Sequence, residues 1–189
     1  MMKKAVLLVL AVFLMVPSVY AIEVGGKNLP DSLTVGNETL QLNGAGVREK
    51  WFMDIYAGGL YLKNKNSDPN QIMSSDEPAA IKMIVISGLM TQQKMVDALN
   101  EGFEKSTGGN LDAFRDKIDK YIAAHSGEIK KDDVFEYHYV PGEGTSVFKN
   151  GEKRTTINGL DFKKAVFGIW LCDEPAQESL KEKMLGLGS

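Results

Sequence analysis

The stretch LNGAGVREKWFMDIYAGGLYLK, residues 42–63, decides the fold because it joins a glycine-rich segment, an arginine and a run of β-forming residues. The run predicts a long strand or a pair of strands over residues 47–63. Gly58 and Gly59 within it are typical of a bulge or of a close backbone approach. Arg48 stands between the predicted glycine turn and the apolar run, where its cation either points to solvent or holds an anion in an apolar setting.

Strand patterns recur on both sides of this stretch. Residues 23–44 are typical of short strands separated by Gly, Pro and Asn turns. Residues 79–87, AAIKMIVIS, form an apolar, β-branched run with the length of a buried strand, and residues 132–140 alternate as a strand does. The pair Asn150-Gly151 between two alternating arms predicts a β-hairpin.

Helices are predicted between and after these strands. Apolar residues recur at helical spacing in residues 91–106, 110–125 and 162–170, and residues 176–186 predict a short final helix. Thr91 is a suitable N-cap for the first of these helices. The order of elements predicts an α+β fold in which a mainly antiparallel β-sheet is packed on one face by helices.

The N-terminal residues follow the plan of a secretory signal peptide. A basic start, MMKK, precedes the apolar run AVLLVLAVFLMV, and small residues follow at Val19 and Ala21. A membrane anchor is the alternative, but the apolar run of about 12 residues is shorter than the roughly 20 that span a bilayer. We therefore expect a signal peptide at residues 1–21, cleaved after Ala21, a single domain at residues 22–189, and a periplasmic or secreted protein with no stable membrane span.

Charge and cysteine content narrow the function classes. The chain has 22 basic and 25 acidic residues, a net charge of −3 that becomes −5 once Lys3 and Lys4 leave with the signal peptide. The charges are interspersed, so no nucleic-acid partner is expected. Cys172 is the only cysteine, which excludes an intramolecular disulfide.

Common catalytic and metal-binding motifs are absent from the sequence. It contains no GxSxG nucleophile turn, no GxxxxGK[ST] phosphate loop and no HExxH zinc helix. His125 and His138 have no neighbouring ligand at metal spacing, and Cys172 is followed by two acids that would raise its pKa. The sequence therefore predicts no metal and no cofactor.

Arg48 is the residue that then needs an explanation. Its planar guanidinium suits a carboxylate or a phenolate, and burying it unpaired is costly. The spacing allows three environments for Arg48. It could pair with Glu49 or Asp54, lie in water, or hold a bound anion at the end of a cleft between sheet and helices.

Three segments resemble the chalcone isomerase family. NGAGVREKWFMDIYAGGLYL is similar to the family's glycine, arginine and strand segment, and MIVISGLMTQQKMVDAL is similar to the strand and helix that follow. TTINGLDFKKAVFGIWLCDEPAQESLKEKMLG resembles the C-terminal block, with the I-W-L-x-D-x-P signature of bacterial chalcone-isomerase-like proteins. The resemblance covers most of residues 24–187 and implies an open-faced sandwich of a sheet and helices.

The catalytic residues of the family carry over only in part. Arg48 matches the arginine that steadies the substrate oxygen in plant chalcone isomerases. Tyr56 stands where the family has a threonine, Lys94 where it has a catalytic tyrosine, and Lys183 where it has a threonine or serine. A lysine is a point charge on a flexible stem and does not replace an oriented hydroxyl. Chalcone cyclisation is therefore the less favoured activity; it would rely on Arg48, Tyr56 and Lys94.

The segment IYAGGLY is similar to a strand of the family's fatty-acid-binding relatives, in which an arginine pairs with a tyrosine. That resemblance implies an exported, non-catalytic protein that binds a fatty acid or a similar amphipathic carboxylate. The expected ligand-binding residues are Arg48 and Tyr56 at the head group, with Thr91 and Lys94 nearby. The residues expected to contact the tail are Trp51, Ile55, Leu60, Val85, Met95, Leu99, Phe167 and Trp170.

Two alternatives remain open at this point. The first is an isomerase or intramolecular lyase that acts on an unsaturated ketone. The second is an envelope scaffold whose partner is another protein and whose cleft is filled by its own side chains. Periodicity does not separate a lined pocket from a packed core, so the structure has to distinguish them.

Overall fold

The computed structural model describes residues 21–188. The predicted signal peptide, apart from Ala21, lies outside these residues. None of the helices in residues 21–188 combines the length and the apolar character needed to cross a membrane. The described chain folds around one main sheet, and the positions of its strands explain where the candidate site forms.

The main sheet has seven strands in the same order as in the chain, and every neighbouring pair is antiparallel. Two short strands before it, β1 and β2, form a separate hairpin. The strands are β1 Ala21–Val24, β2 Lys27–Pro30, β3 Ser32–Val35, β4 Glu38–Lys50, β5 Met53–Leu62, β6 Ala79–Val85, β7 Val134–Val140, β8 Gly144–Lys149 and β9 Glu152–Ile157.

Five helices and one 3₁₀ turn complete the described chain. They are α1 Pro69–Ser74, α2 Gln92–Ser106, the 3₁₀ turn Asp112–Phe114, α3 Arg115–Ala123, α4 Leu160–Leu171 and α5 Glu178–Met184. The Thr91 side chain accepts a hydrogen bond from the backbone N–H of Lys94, 3.3 Å away, and so caps α2 as predicted. Gly186, at φ +72°, follows the last turn of α5, which agrees with the predicted stop.

Residues 47–63, predicted as one strand or a strand pair, contain the end of β4 and all of β5, and the glycines of both strands act differently from the prediction. Gly44 and Gly46 lie inside β4 and do not form a turn. A Cβ atom at Gly44 would lie 2.1 Å from the backbone oxygen of Lys183, so the glycine lets α5 rest directly on the strand. The register is continuous through Gly58 and Gly59; the irregularities fall between Leu42 and Gly44 and between Arg48 and Glu49.

The turn between β4 and β5 consists of Trp51 and Phe52, both with positive φ, at 55° and 63°. The predicted hairpin at Asn150-Gly151 joins β8 and β9 with φ values of 52° and 80°. Two-residue hairpin turns with positive φ favour Asn and Gly, so the second hairpin was visible in the sequence. The first was not, because its two turn residues are large aromatics.

The main core lies between one face of the sheet and the helices. Its fully buried aromatic residues come from α2, α3 and α4 and from strand β7. Helices α2 and α4 approach closely at Gly102, which has no side chain. A Cβ atom at this position would lie only 2.8 Å from the Ile169 side chain. This packing confirms the predicted α+β architecture with an antiparallel sheet under a layer of helices.

The second face of the sheet is partly covered by the N-terminal hairpin. Leu29 of β2 is fully buried against Ala57 of β5 and Ile84 of β6. Farther along this face, Glu136 accepts hydrogen bonds from Lys82 at 2.6 Å and from the His138 ring at 2.8 Å. These contacts hold the pKa of Glu136 at about 2, although its burial acts in the opposite direction. The cavity of this fold lies on the opposite face of the sheet, which the helices cover.

Candidate functional site

A cavity of about 440 Å³ lies between the sheet and helices α2 and α4. This volume falls within the range of roughly 300–1,000 Å³ that small-molecule sites occupy. Its walls are mainly apolar, with a few polar groups. The side chains that line it include Arg48, Trp51, Met53, Ile55, Tyr56, Met83, Leu89, Met90, Lys94, Met95, Ala98, Leu99, Tyr137, Ile169 and Trp170.

Arg48 and Tyr56 are direct cross-strand partners in β4 and β5. Side chains of directly opposite residues project from the same face of an antiparallel sheet, with Cβ atoms about 5 Å apart. Both line the cavity, which places a cation and a phenol together in its wall. The pairing of these two residues, predicted from the resemblance, is therefore present in the backbone register.

The Arg48 guanidinium makes no carboxylate ion pair within the described residues. One of its terminal nitrogens, Nη1, donates to the backbone oxygen of Glu49 at 2.6 Å and to the Gln177 side-chain oxygen at 3.0 Å. The Gln177 oxygen also accepts the backbone N–H of Glu49 at 2.8 Å. Neither the Glu49 nor the Asp54 carboxylate lies within 4 Å of Arg48, so the internal ion pair that spacing allowed does not form.

Gln177 orients Arg48 without neutralising its charge. It does so from the position just before α5, where its side-chain amide nitrogen donates a hydrogen bond to the Ser179 hydroxyl oxygen at 2.6 Å. Two of the five guanidinium N–H groups are engaged by oxygens of Glu49 and Gln177, which leaves three for other acceptors. A half-buried cation with spare donors is suited to bind an anion.

Tyr56 is buried and its hydroxyl oxygen accepts the indole N–H of Trp170 at 2.9 Å. Burial raises the pKa of Tyr56, while the Trp170 bond and the Arg48 charge oppose the shift. The phenol is therefore neutral at physiological pH and keeps its proton. No described residue accepts that proton, so the Tyr56 hydroxyl is a free donor at the cavity wall.

Tyr137, the second phenol in the wall, has its proton engaged elsewhere. The His125 Nδ1 lies 2.8 Å from the Tyr121 backbone oxygen, which can only accept, so Nδ1 carries the hydrogen. The other ring nitrogen then accepts the Tyr137 hydroxyl proton at 3.0 Å. Burial lowers the pKa of His125 to about 4, so the ring stays neutral near pH 7. Of the two phenols, only Tyr56 has a proton to donate to a ligand.

The cavity rim on α2 carries charged side chains of both signs. Lys94 is exposed and lines the cavity near Asp97. Glu101 and Lys105 form a salt bridge of 2.6 Å one turn apart. Thr91, predicted as a ligand-binding residue, caps the helix and does not line the cavity.

Five of the eight residues expected to contact a tail line the cavity: Trp51, Ile55, Met95, Leu99 and Trp170. The other three, Leu60, Val85 and Phe167, are fully buried in the core and do not reach it. Sequence reasoning did not identify Met83, Tyr137 and Ile169 as wall residues or Gln177 as the partner of Arg48. Gln177 had no detectable signal, because it lies 129 residues from Arg48 in the chain.

Other reactive groups in the described chain lie apart from the cavity. Cys172 is half-buried, and burial is the main reason why its pKa is raised. Lys183, which stands where the family has a threonine or serine, is exposed on α5 beside Gly46 and does not line the cavity. No group of three or more His, Cys, Asp or Glu residues suited to a metal ion occurs within residues 21–188.

The chain belongs to the chalcone isomerase-like family, whose model matches residues 21–186. Among solved structures it is similar to the fatty-acid binding protein of Arabidopsis thaliana, at 16% sequence identity and a TM-score of 0.67. The match covers 85% of this chain and 92% of the plant protein. None of the curated proteins compared with the chain matches it. The structural likeness establishes the shared fold.

Proposed function

We propose that the protein binds a fatty acid or a similar amphipathic carboxylate in the cavity and does not transform it chemically. The observation that carries this proposal is the pairing of Arg48, which has no carboxylate partner among the described residues, with the free hydroxyl donor of Tyr56. Both groups lie in the wall of an otherwise apolar cavity. A single anion bound there would accept hydrogen bonds from both the Arg48 guanidinium and the Tyr56 hydroxyl.

The head group is assigned to Arg48 and Tyr56. A carboxylate accepts hydrogen bonds only, and a guanidinium can hold both of its oxygens at once. Tyr56 donates one further hydrogen bond, while Trp170 fixes the position of its oxygen. Lys94 is exposed at the rim and can contact the head group, but with Lys105, Asp97 and Glu101 it gives a rim of no net charge.

The tail is assigned to the apolar wall made by Met83, Met95, Leu99 and Ile169. Each methylene removed from water contributes about 0.8 kcal/mol, so a dozen of them outweigh one partly exposed ion pair. Methionine adapts its shape to a flexible chain, since it is unbranched and has three rotatable bonds. We therefore expect affinity to depend mainly on chain length and orientation to depend on Arg48.

The comparisons support this proposal without identifying the ligand. The similar plant structure is described as a fatty-acid binding protein, and its fold is shared across most of both chains. We also propose, from the N-terminal sequence, that the protein is exported with cleavage after Ala21 and acts in the periplasm or outside the cell.

The experiment is native mass spectrometry of the protein purified without detergent, followed by extraction and identification of any bound compound. Added palmitate should form a one-to-one complex with the wild type. Arg48→Ala should weaken that complex by roughly tenfold or more. Arg154→Ala is the matched control, because Arg154 is an exposed arginine paired with Glu152 on β9, away from the cavity.

The same preparation tests the two alternatives. An isomerase is the less favoured function, since the exposed Lys94 stands at the rim where, by the resemblance, that reaction would need a tyrosine hydroxyl. If the protein converts a chalcone and Arg48→Ala abolishes that activity, the purely binding role is wrong. A protein that neither binds palmitate nor turns over a chalcone would favour the scaffold alternative.

A further inference from the structure

Large apolar side chains are exposed at the mouth of the cavity. Trp51 is 79% exposed, Phe52 is fully exposed, and Met53 and Leu89 are each exposed by more than two fifths. Trp51 and Phe52 form the β4–β5 turn, Met53 is the first residue of β5, and Leu89 lies in the connection between β6 and α2. Trp51, Met53 and Leu89 also line the cavity, so this surface, which we call the aromatic tip, is continuous with the ligand site.

The conformation of the β4–β5 turn makes its residues unusual. Trp51 and Phe52 have φ values of 55° and 63°, in the left-handed region that bulky residues rarely adopt. The same protein builds the same kind of turn at Asn150-Gly151, with the residues that this geometry favours. Backbone strain of this type persists mainly at functional sites. The β4–β5 turn thus displays two aromatic side chains at a cost in conformational energy.

We propose that the aromatic tip inserts into the surface of a lipid bilayer and so places the cavity mouth against the membrane. Tryptophan is enriched at the membrane–water interface, where its ring lies at head-group level. The tip offers four large apolar residues, whereas a stable protein interface uses about 20–30 residues on each side. These features fit shallow insertion better than a protein partner.

The charges around the tip indicate which bilayer it would meet. On the hairpin, Arg48 and Lys50 are balanced by Glu49 and Asp54. On the α2 rim, the two lysines are balanced by Asp97 and Glu101. With no local excess of positive charge, insertion would depend on apolar burial and would not require anionic lipid. A zwitterionic phosphatidylcholine surface is therefore sufficient.

This inference rests on the proposed function, because it gives the amphipathic ligand a route between membrane and cavity. A long-chain carboxylate leaving a bilayer would otherwise expose its tail to water. With the tip inserted, Trp51, Met53 and Leu89 would form a continuous apolar path into the cavity. The protein would thus collect its ligand from a membrane or deliver it there.

The test is partitioning of the protein onto phosphatidylcholine vesicles, measured by co-sedimentation and by Trp51 fluorescence. The chain has two tryptophans, and the other, Trp170, is buried. A shift of the emission to shorter wavelength, with quenching by brominated phosphatidylcholine, therefore reports insertion of Trp51.

The variants are Phe52→Asp and Phe52→Gly, which retain Trp51 and change a side chain that does not line the cavity. Leu187→Ser is the matched control, because Leu187 is an exposed leucine that follows the end of α5 and does not line the cavity.

We expect the wild type and Leu187→Ser to bind vesicles, with little dependence on salt. Phe52→Asp should lower partitioning at least tenfold, and both Phe52 variants should still bind palmitate in the absence of vesicles. All variants carry the same residues 1–20, so any contribution of that segment to vesicle binding is the same in each. Phe52-dependent vesicle binding without palmitate binding would refute the proposed function and retain the membrane contact.

Three results would overturn the inference. The first is palmitate binding by a wild type that ignores vesicles. The second is an equal loss of vesicle binding in Leu187→Ser. The third is self-association that Phe52→Asp abolishes, which would assign the aromatic tip to contact with a second copy of the chain.

Discussion

Trp170 and Tyr56 join helix α4 to strand β5 through one hydrogen bond, from the indole N–H to the phenolic oxygen, at 2.9 Å. The two residues are 114 positions apart in the chain, and both line the cavity. Because Trp170 donates to the oxygen, the proton of Tyr56 remains available for another acceptor. The bond therefore leaves the phenol with a proton that it can donate to a ligand.

Replacing Trp170 by Phe should destabilise the protein by about 1–3 kcal/mol, since it removes a buried hydrogen bond and leaves a small void. The binding of palmitate should weaken as well, because the Tyr56 hydroxyl would lose its fixed orientation. The measurement is a double-mutant cycle with Tyr56→Phe, using chemical denaturation and palmitate titration. We expect a coupling energy of about 1 kcal/mol. Strictly additive effects would show that the two side chains do not act together.

Gln177 is predicted to act on the ligand only through Arg48. Gln177→Leu removes the oxygen that accepts from Arg48 and from the Glu49 backbone, so affinity for palmitate should fall several-fold. Gln177→Glu provides the more decisive comparison. It would place a carboxylate 3 Å from the guanidinium and give Arg48 the internal partner that it lacks.

We expect Gln177→Glu to leave stability unchanged or to raise it by up to about 1 kcal/mol. The same variant should bind palmitate at least roughly tenfold more weakly, because the new carboxylate competes with the ligand for Arg48. Denaturation and titration calorimetry on the same sample measure both quantities. Palmitate affinity equal to that of the wild type would indicate that Arg48 does not hold the head group.

The buried His125 should make stability depend on pH. Its pKa is about 4 in the folded protein and about 6.5 in an unfolded chain, so between these values the unfolded state binds more protons. The free energy of unfolding should therefore rise with pH from 4 to 6.5, by about 1 kcal/mol per unit, and this contribution should be complete above pH 6.5.

Urea denaturation of the wild type, His125→Asn and His138→Gln at several pH values measures this effect. His125→Asn should be less stable at pH 7 and should show a smaller slope between pH 4 and 6.5. His138→Gln, changed on the other face of the sheet, should keep the slope that His125 causes. The explanation fails if His125→Asn retains the full pH dependence of the wild type.

Local patterns in the sequence predicted most of the fold. Alternation, helical spacing and the Asn150-Gly151 pair each indicate an element on their own, and Thr91 carries the signal of an N-cap. The turn at Trp51 and Phe52 was missed because its residues contradict the preference of that turn type. The strand position of Gly44 was missed too, since only the packing of α5 explains a glycine there.

The resemblance to the family, and not the residue pattern, indicated the pair of residues at the head of the candidate site. Arg48 and Tyr56 are close in the sequence and become cross-strand partners. Trp170 and Gln177 reach them from distant segments, and no local pattern reports such contacts. Leu60 and Phe167 have the same apolar character as the wall residues, but they pack in the core. Periodicity indicates which face is buried, not where the packing leaves a cavity.

The most direct test of fatty-acid binding is a crystal structure of the protein with a long-chain fatty acid that carries bromine at its terminal carbon. We predict the carboxylate within hydrogen-bonding distance of the Arg48 guanidinium and the Tyr56 hydroxyl. The anomalous signal of the bromine should lie among the apolar wall residues, near Met83 or Ile169. Bromine next to Arg48, or a cavity that contains only water at saturating ligand, would contradict the assignment of Arg48 as the head-group residue.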